Sequence, residues 1–103
     1  MVAGMLLPAF AVQAAEVPEY QLVIRNHRYE PTELKVPAGV KFKLVVENHD
    51  ATPEEFESNE FNREKIIMAN STAQIYVGPP TSGRYKFFGD FHPLTAQGAL
   101  VVE

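Results

Sequence analysis

Apolar and polar residues alternate with a period of two along most of this chain, and Gly, Pro, Asn and Asp clusters interrupt the alternation every few residues. That period belongs to strands with one face buried. Tyr20, Leu22 and Ile24 alternate with Gln21 and Arg25, which predicts a first strand over 20–26. Asn26 to Pro31 reads as a turn or irregular crossover, because Pro31 has no N–H to donate and holds Glu30 extended. Leu34 and Val36 make a short second strand, ended by the turn Pro37-Ala38-Gly39. Val40, Phe42, Leu44 and Val46 then point one way and Lys41, Lys43 and Glu47 the other, the clearest strand of the chain, over 40–48.

Asn48 to Pro53 is a polar loop, and Glu54-Glu55-Phe56-Glu57-Ser58 follows as a strand. Asn59 to Lys65 fits a turn of helix or an irregular loop, and Ile66 to Met68 is expected to pack. Ala73, Ile75 and Val77 alternate with Gln74 and Tyr76 in a further strand that stops at Gly78-Pro79-Pro80. Thr81-Ser82-Gly83 turns the chain into a strand over 84–88, and a last strand over 98–103 closes the sheet. About seven to eight short strands separated by turn residues predict an all-β sandwich, and no long helical period separates strands as an α/β fold requires. Phe42, Leu44, Val46, Phe56, Ile75, Tyr85, Phe87 and Leu100 are the expected core.

The chain has 103 residues, 46% hydrophobic and 11% aromatic, enough for one domain with a modest core. A net charge of −4 argues against nucleic acid as the main partner. There is no cysteine, which excludes disulfides, iron–sulfur clusters, thiolate nucleophiles and a blue copper centre, whose copper needs a thiolate. No Ser-His-Asp pattern, phosphate loop or zincin pair is present, so neither a hydrolase nor a transferase is indicated. Residues 1–14 carry no charge and include the apolar run Leu6, Leu7, Ala9, Phe10, Ala11, Val12. This stretch is read as a signal peptide, incomplete because a positive leading region is missing. Cleavage is expected after Val12-Gln13-Ala14, leaving a mature domain over 15–103 in the periplasm. The alternative is a disordered or packed N-terminal arm.

Candidate chemistry gathers at one end of the predicted sandwich. Phe56 most needs the core, so Glu54 and Ser58, which share its face, point inward while Glu55 and Glu57 point outward. Glu54 begins its strand, so its carboxylate can emerge at the mouth of the sandwich. The loop over 89–97 closes over that mouth and brings Asp90 and His92 near it. Glu54, Asp90 and His92 therefore form the candidate metal-ligand set, an oxygen-rich mixed site suited to Fe(II), Mn(II), Cu(II) or Zn(II). Glu55 and Glu57 are further candidates, although with Glu60 and Glu64 they read most simply as a solvated acidic face, partly neutralised by Arg63 and Lys65. His27 is a spare ligand in a turn near the mouth, and His49 is expected to be exposed. Met68 reads as core filler, and Tyr29 and Tyr76 as structural.

The run from Tyr85 to Val102, a strand, a loop with one histidine and a closing strand, resembles the C-terminal ligand loop of a cupredoxin, in which a Cys…His…Met loop holds copper. The resemblance implies an all-β Greek-key β-sandwich of cupredoxin type. By that resemblance His92 stands at the loop histidine, Gly89 at the cysteine and Ala96 near the methionine, and Glu54 replaces the histidine that would open its strand. Tyr29-Glu30-Pro31, Glu54-Glu55-Phe56-Glu57-Ser58, Arg63-Glu64-Lys65 and Gly89-Asp90-Phe91-His92 are similar to the cupredoxin-like domains of bacterial iron-uptake systems. These include the small periplasmic cupredoxin that accompanies an iron permease and the cupredoxin domain of imelysin-type lipoproteins. The implied function is a periplasmic metal-binding protein in Fe2+ uptake. It would carry a copper or iron ion, assist ferrous oxidation in a ferroxidase-type role, or deliver iron to a membrane permease beside a periplasmic iron-binding partner. The alternative is a metal-free interaction module with a vestigial copper site, docked on a membrane transporter.

Overall fold

Alternation of buried and exposed residues runs through the computed structural model, which describes Gly4 and residues 16–103. The expected leader over 1–14 (Gly4 apart) and its cleavage before Ala15 lie outside the described residues. The described residues form nine strands in order: β1 (Glu19–Arg25), β2 (Arg28–Glu30), β3 (Glu33–Val36), β4 (Phe42–Asn48), β5 (Glu54–Ser58), β6 (Arg63–Ile67), β7 (Thr72–Val77), β8 (Gly83–Gly89) and β9 (Gln97–Val102). No helix occurs among the described residues. One sheet has the order β2-β1-β4-β7 and the other β3-β9-β8-β5-β6. β1 runs parallel to β4, and β3 parallel to β9; the other pairs are antiparallel. Such mixed sheets arise because the chain crosses between layers rather than folding as simple hairpins.

The two inner faces supply one core. β4 shows the alternation without a break: Phe42, Leu44 and Val46 are fully buried, and its outward residues are half-buried. Leu22 and Ile24 of β1 and Ile75 and Val77 of β7 flank them. From the opposite sheet come Phe56, Phe87, Leu100 and Val102. Phe56 and Phe87 stack with centroids 5.1 Å apart, and the Tyr29 ring meets Phe87 edge-on at 5.0 Å. Aromatic pairs at these separations add to the area they remove from water. Of the expected core, Tyr85 alone is only partly buried, because its hydroxyl reaches Thr81 at the surface, 2.8 Å from Oγ1.

Several local readings need correction. The crossover expected over 26–31 is a β-hairpin: Asn26 and His27 take left-handed backbone angles, φ 53° and 57°, between paired Arg25 and Arg28. That is the geometry two-residue hairpin turns favour. The stretch read as a turn of helix or an irregular loop is likewise a hairpin, with Asn62 at φ 54° and Arg63 to Lys65 inside β6. Only Ile67 of the apolar run 66–68 is buried; Ile66 and Met68 are 50% and 61% exposed. β6 is an edge strand, so its outer face has nothing to pack against. The β4 strand begins at Phe42, leaving Val40 exposed in the preceding turn.

Candidate metal centre

The inward parity of β5 carries Glu54 to the end of the sandwich, where Phe56 occupies the core beneath it. The Glu54 side chain is 1% exposed, and a buried carboxylate must be paired and hydrogen-bonded. The loop joining β8 to β9 supplies that pairing. Phe91 N–H donates to Glu54 Oε1 at 2.9 Å, Glu55 N–H donates to the same oxygen at 3.1 Å, and His92 Nδ1 lies 2.5 Å from Oε2. Main-chain bonds close the loop on itself: His92 N–H to Gly89 O, Ala96 N–H to His92 O, and Gly89 N–H to Ala96 O, at 3.1, 2.9 and 2.8 Å. The imidazole of His92 is thus presented by a braced loop, one side against Glu54 and the ring 30% exposed.

A second imidazole comes from the other sheet. The β1–β2 turn lays the His27 ring on that of His92, centroids 3.6 Å apart and planes 18° from parallel. Asp50, in the loop after β4, fastens this turn. Its Oδ1 accepts from Asn26 N–H at 2.7 Å and its Oδ2 from His27 N–H at 2.9 Å, and Oδ2 also stands 3.4 Å from His27 Nδ1. Burial works to raise the Asp50 carboxyl. The His27 and Asn26 N–H donors, with the nearby His27 and His92 rings, outweigh it and hold the group below the usual carboxylate range. Tyr29 lies beneath the site with its hydroxyl 3.3 Å from Phe88 O; burial, and then the Glu54 charge, push its phenol well above the ordinary tyrosine range.

One donor atom each from His27, Glu54 and His92 lies within 4.8 Å of the other two. The structure thus brings together Glu54 and His92 of the candidate set with His27, read from sequence as a spare ligand. Asp90 is exposed and does not join the group; its N–H donates to Glu55 O at 2.8 Å. Glu55 and Glu57 face the outside with Glu64, forming a separate acidic cluster. A hydrogen bond to Glu64, then burial, then the charges of Glu64, Asp90 and Glu57 push the Glu55 carboxyl up to about 7. His49 pairs with Glu47 at 3.1 Å and is exposed.

The donor set decides which metals suit it. A thiolate copper centre does not fit: the chain has no cysteine, and a Cβ on Gly89 would come 2.6 Å from Cδ and Oε1 of Glu54. Two imidazoles and a carboxylate are the ligand types of divalent iron, copper or zinc. Metal–nitrogen and metal–oxygen bonds near 2.0–2.2 Å set adjacent donors about 3 Å apart, so the present His92–Glu54 contact needs to open only slightly. The stacked His27 ring must also tilt for its lone pair to converge on the same ion.

A family model described as a cupredoxin-like domain matches residues 1–102. An uncharacterized protein of Rickettsia prowazekii (strain Madrid E) is 42% identical over 84 residues, covering 82% of this chain and 67% of that one. Among solved structures, auracyanin A, a "blue" copper protein of Chloroflexus aurantiacus, superposes with a TM-score of 0.73 at 16% identity, over 85% of this chain and 100% of its own. The metal-binding domain of a Cu(I)-exporting P-type ATPase of Streptococcus pneumoniae gives 0.75 at 14% identity, over 88% and 90% of the two chains. A purple cupredoxin of Nitrosopumilus maritimus gives 0.61 at 23% identity, over 81% and 98%. At these identities the structural likeness is one of fold.

Proposed function

The chain belongs to the cupredoxin-like domain family, and from that premise we propose that it binds a divalent metal ion through His27, Glu54 and His92. The observation that carries this reading is the convergence of one donor atom from each of three separate segments within 4.8 Å, at the end of the sandwich where the fold's loops meet. The metal would supply Lewis acidity or a redox couple. The protein's own residues supply two imidazole nitrogens, one buried carboxylate oxygen and a braced loop. The finer reading is an exported protein of ferrous iron acquisition, passing Fe(II) to a membrane permease with a periplasmic partner or aiding its oxidation. It is supported by the resemblance of the Glu54–Ser58 and Gly89–His92 stretches to iron-uptake domains. The ligand set does not itself provide an electron acceptor, so binding and delivery stand ahead of oxidase chemistry.

Titration of Fe(II) and Cu(II) into the domain over 16–103, followed by calorimetry, tests the proposal. Saturable binding of one ion per chain is expected. The copper form should be pale and give tetragonal EPR parameters, because every donor is nitrogen or oxygen. Heat no greater than buffer for both ions would overturn it. One observation favours a metal-free interaction module as a second reading: three donors already satisfy the Glu54 carboxylate, and no buried side-chain polar atom among the described residues lacks a partner. The same titration separates the two.

A further inference from the structure

We propose that Asp50 is the positioning residue of the metal centre, holding the β1–β2 turn so that His27 offers Nε2 to the ion. This deepens the ligand reading above and rests on it.

The starting observation is a backbone one. A two-residue turn with both residues at positive φ favours glycine, above all at its second position. Here that position is His27, at φ 57°, a conformation uncommon outside glycine, although histidine adopts it more often than most side chains do. A histidine kept where glycine suits the turn better points to a use for its ring. Asp50 offsets the strain. Its two oxygens accept from both turn amides at 2.7 and 2.9 Å, and Oδ2 lies 3.4 Å from His27 Nδ1. A carboxylate facing one ring nitrogen sets the tautomer and leaves the other nitrogen free, the usual outer support of a ligating histidine.

Asp50 is itself fixed. Its N–H donates to Asn48 Oδ1 at 3.0 Å, and its carbonyl accepts from Asn70 N–H at 3.0 Å. Asn48 is buried and donates from Nδ2 to Thr52 O and Ile67 O at 2.9 and 3.2 Å. The end of β4, the end of β6 and the β1–β2 turn are therefore tied through Asn48 and Asp50 together: the Asn48 amide reaches the end of β6, and the Asp50 carboxylate reaches the turn that carries His27.

Asp50→Asn is the informative variant, since its amide oxygen still accepts one turn N–H while its NH2 replaces the acceptor facing His27; Asp50→Ala accompanies it. With wild type, the Cu(II) EPR spectrum should show coupling to two imidazole nitrogens. Asp50→Asn should show one, with affinity lowered at least about 10-fold. In the metal-free protein, nitrogen-15 imidazole spectra should place the proton of His27 on Nδ1, and Asp50→Asn should change that pattern while far-UV dichroism stays unaltered. Two-nitrogen coupling and unchanged affinity in Asp50→Asn would overturn the proposal, as would unchanged His27 ring signals in the metal-free variant. Absence of metal from wild type would instead overturn the ligand reading, and the metal-free spectra would still decide whether Asp50 sets the His27 ring.

Discussion

Gly89 and Glu54 share one volume: a Cβ on Gly89 would stand 2.6 Å from Cδ and Oε1 of Glu54, and equally close to the Ala96 Cβ. Glu54 cannot step aside, because two main-chain N–H groups and His92 hold its carboxylate. The missing side chain at 89 and the carboxylate at 54 are thus one structural fact. Gly89→Ala should cost about 1–3 kcal/mol in urea unfolding, the range for overpacking a filled site. In a Glu54→Ala background the same change should cost less, and equal costs in the two backgrounds would show that the residues do not compete for space.

His92 and His49 are both histidines beside a glutamate, and only His92 belongs to the proposed metal centre. His92→Ala removes a proposed ligand and should weaken Cu(II) binding more than about 10-fold by calorimetry. His49→Ala removes an exposed contact to Glu47 and should leave the isotherm unchanged. Equal losses would place the metal elsewhere.

His27→Gly separates stability from binding. Glycine relieves left-handed backbone strain of about 1 kcal/mol at φ 57°, against which the stacking on His92 and the half-exposed contact of Nδ1 with Asp50 Oδ2 are lost. The variant should melt no lower than wild type while binding metal more weakly. A lower melting temperature with full binding would mean that the ring serves packing alone.

The outer acidic cluster makes stability depend on pH. Glu55 in the folded protein titrates at about 7 rather than 4.5, first because of its hydrogen bond to Glu64. The folded state therefore holds this proton more tightly than the unfolded chain. Its contribution is complete below 4.5 and is lost as pH rises through about 7. Glu55→Gln keeps a donor toward Glu64 at every pH. Thermal melts from pH 4 to 8 should show wild type declining relative to Glu55→Gln across this window, and parallel curves would contradict the assignment.

Phe87 joins the two layers of aromatic contact, stacked on Phe56 and edge-on to Tyr29. Phe87→Ala should destabilise by about 3–5 kcal/mol in denaturant titration. A change below 1 kcal/mol would mean that the site collapses around the gap, contrary to its close packing.

The strands were legible wherever one face is buried and the other is not. β4 and β7 carry that contrast in every residue, so period alone placed Phe42, Leu44, Val46 and Ile75 inside. The same parity argument on β5 put Phe56 and Glu54 on the inner face. It failed on β6, where Arg63, Glu64, Lys65 and Ile66 are all exposed and only Ile67 is buried. An edge strand with two wet faces leaves no alternation to read. The turn at Asn26-His27 was hidden for a different reason. Its second residue lacks the glycine that announces such turns, because Asp50, distant in sequence, holds it in place.

What the sequence determined by itself was the all-β class, the inward face of Glu54 and the exclusion of thiolate chemistry, all consequences of local period and residue type. Which side chains converge with Glu54 at the end of the sandwich was decided only by tertiary structure. Asp90 is separated from His92 by Phe91 alone along the chain yet stands outside the group, while His27 arrives from the opposite sheet and stacks on His92. Sequence spacing governs which residues can share a strand face. Which loops meet at the end of a sandwich depends on how two sheets about 10 Å apart are tied together, and that is a relation between segments no single stretch contains.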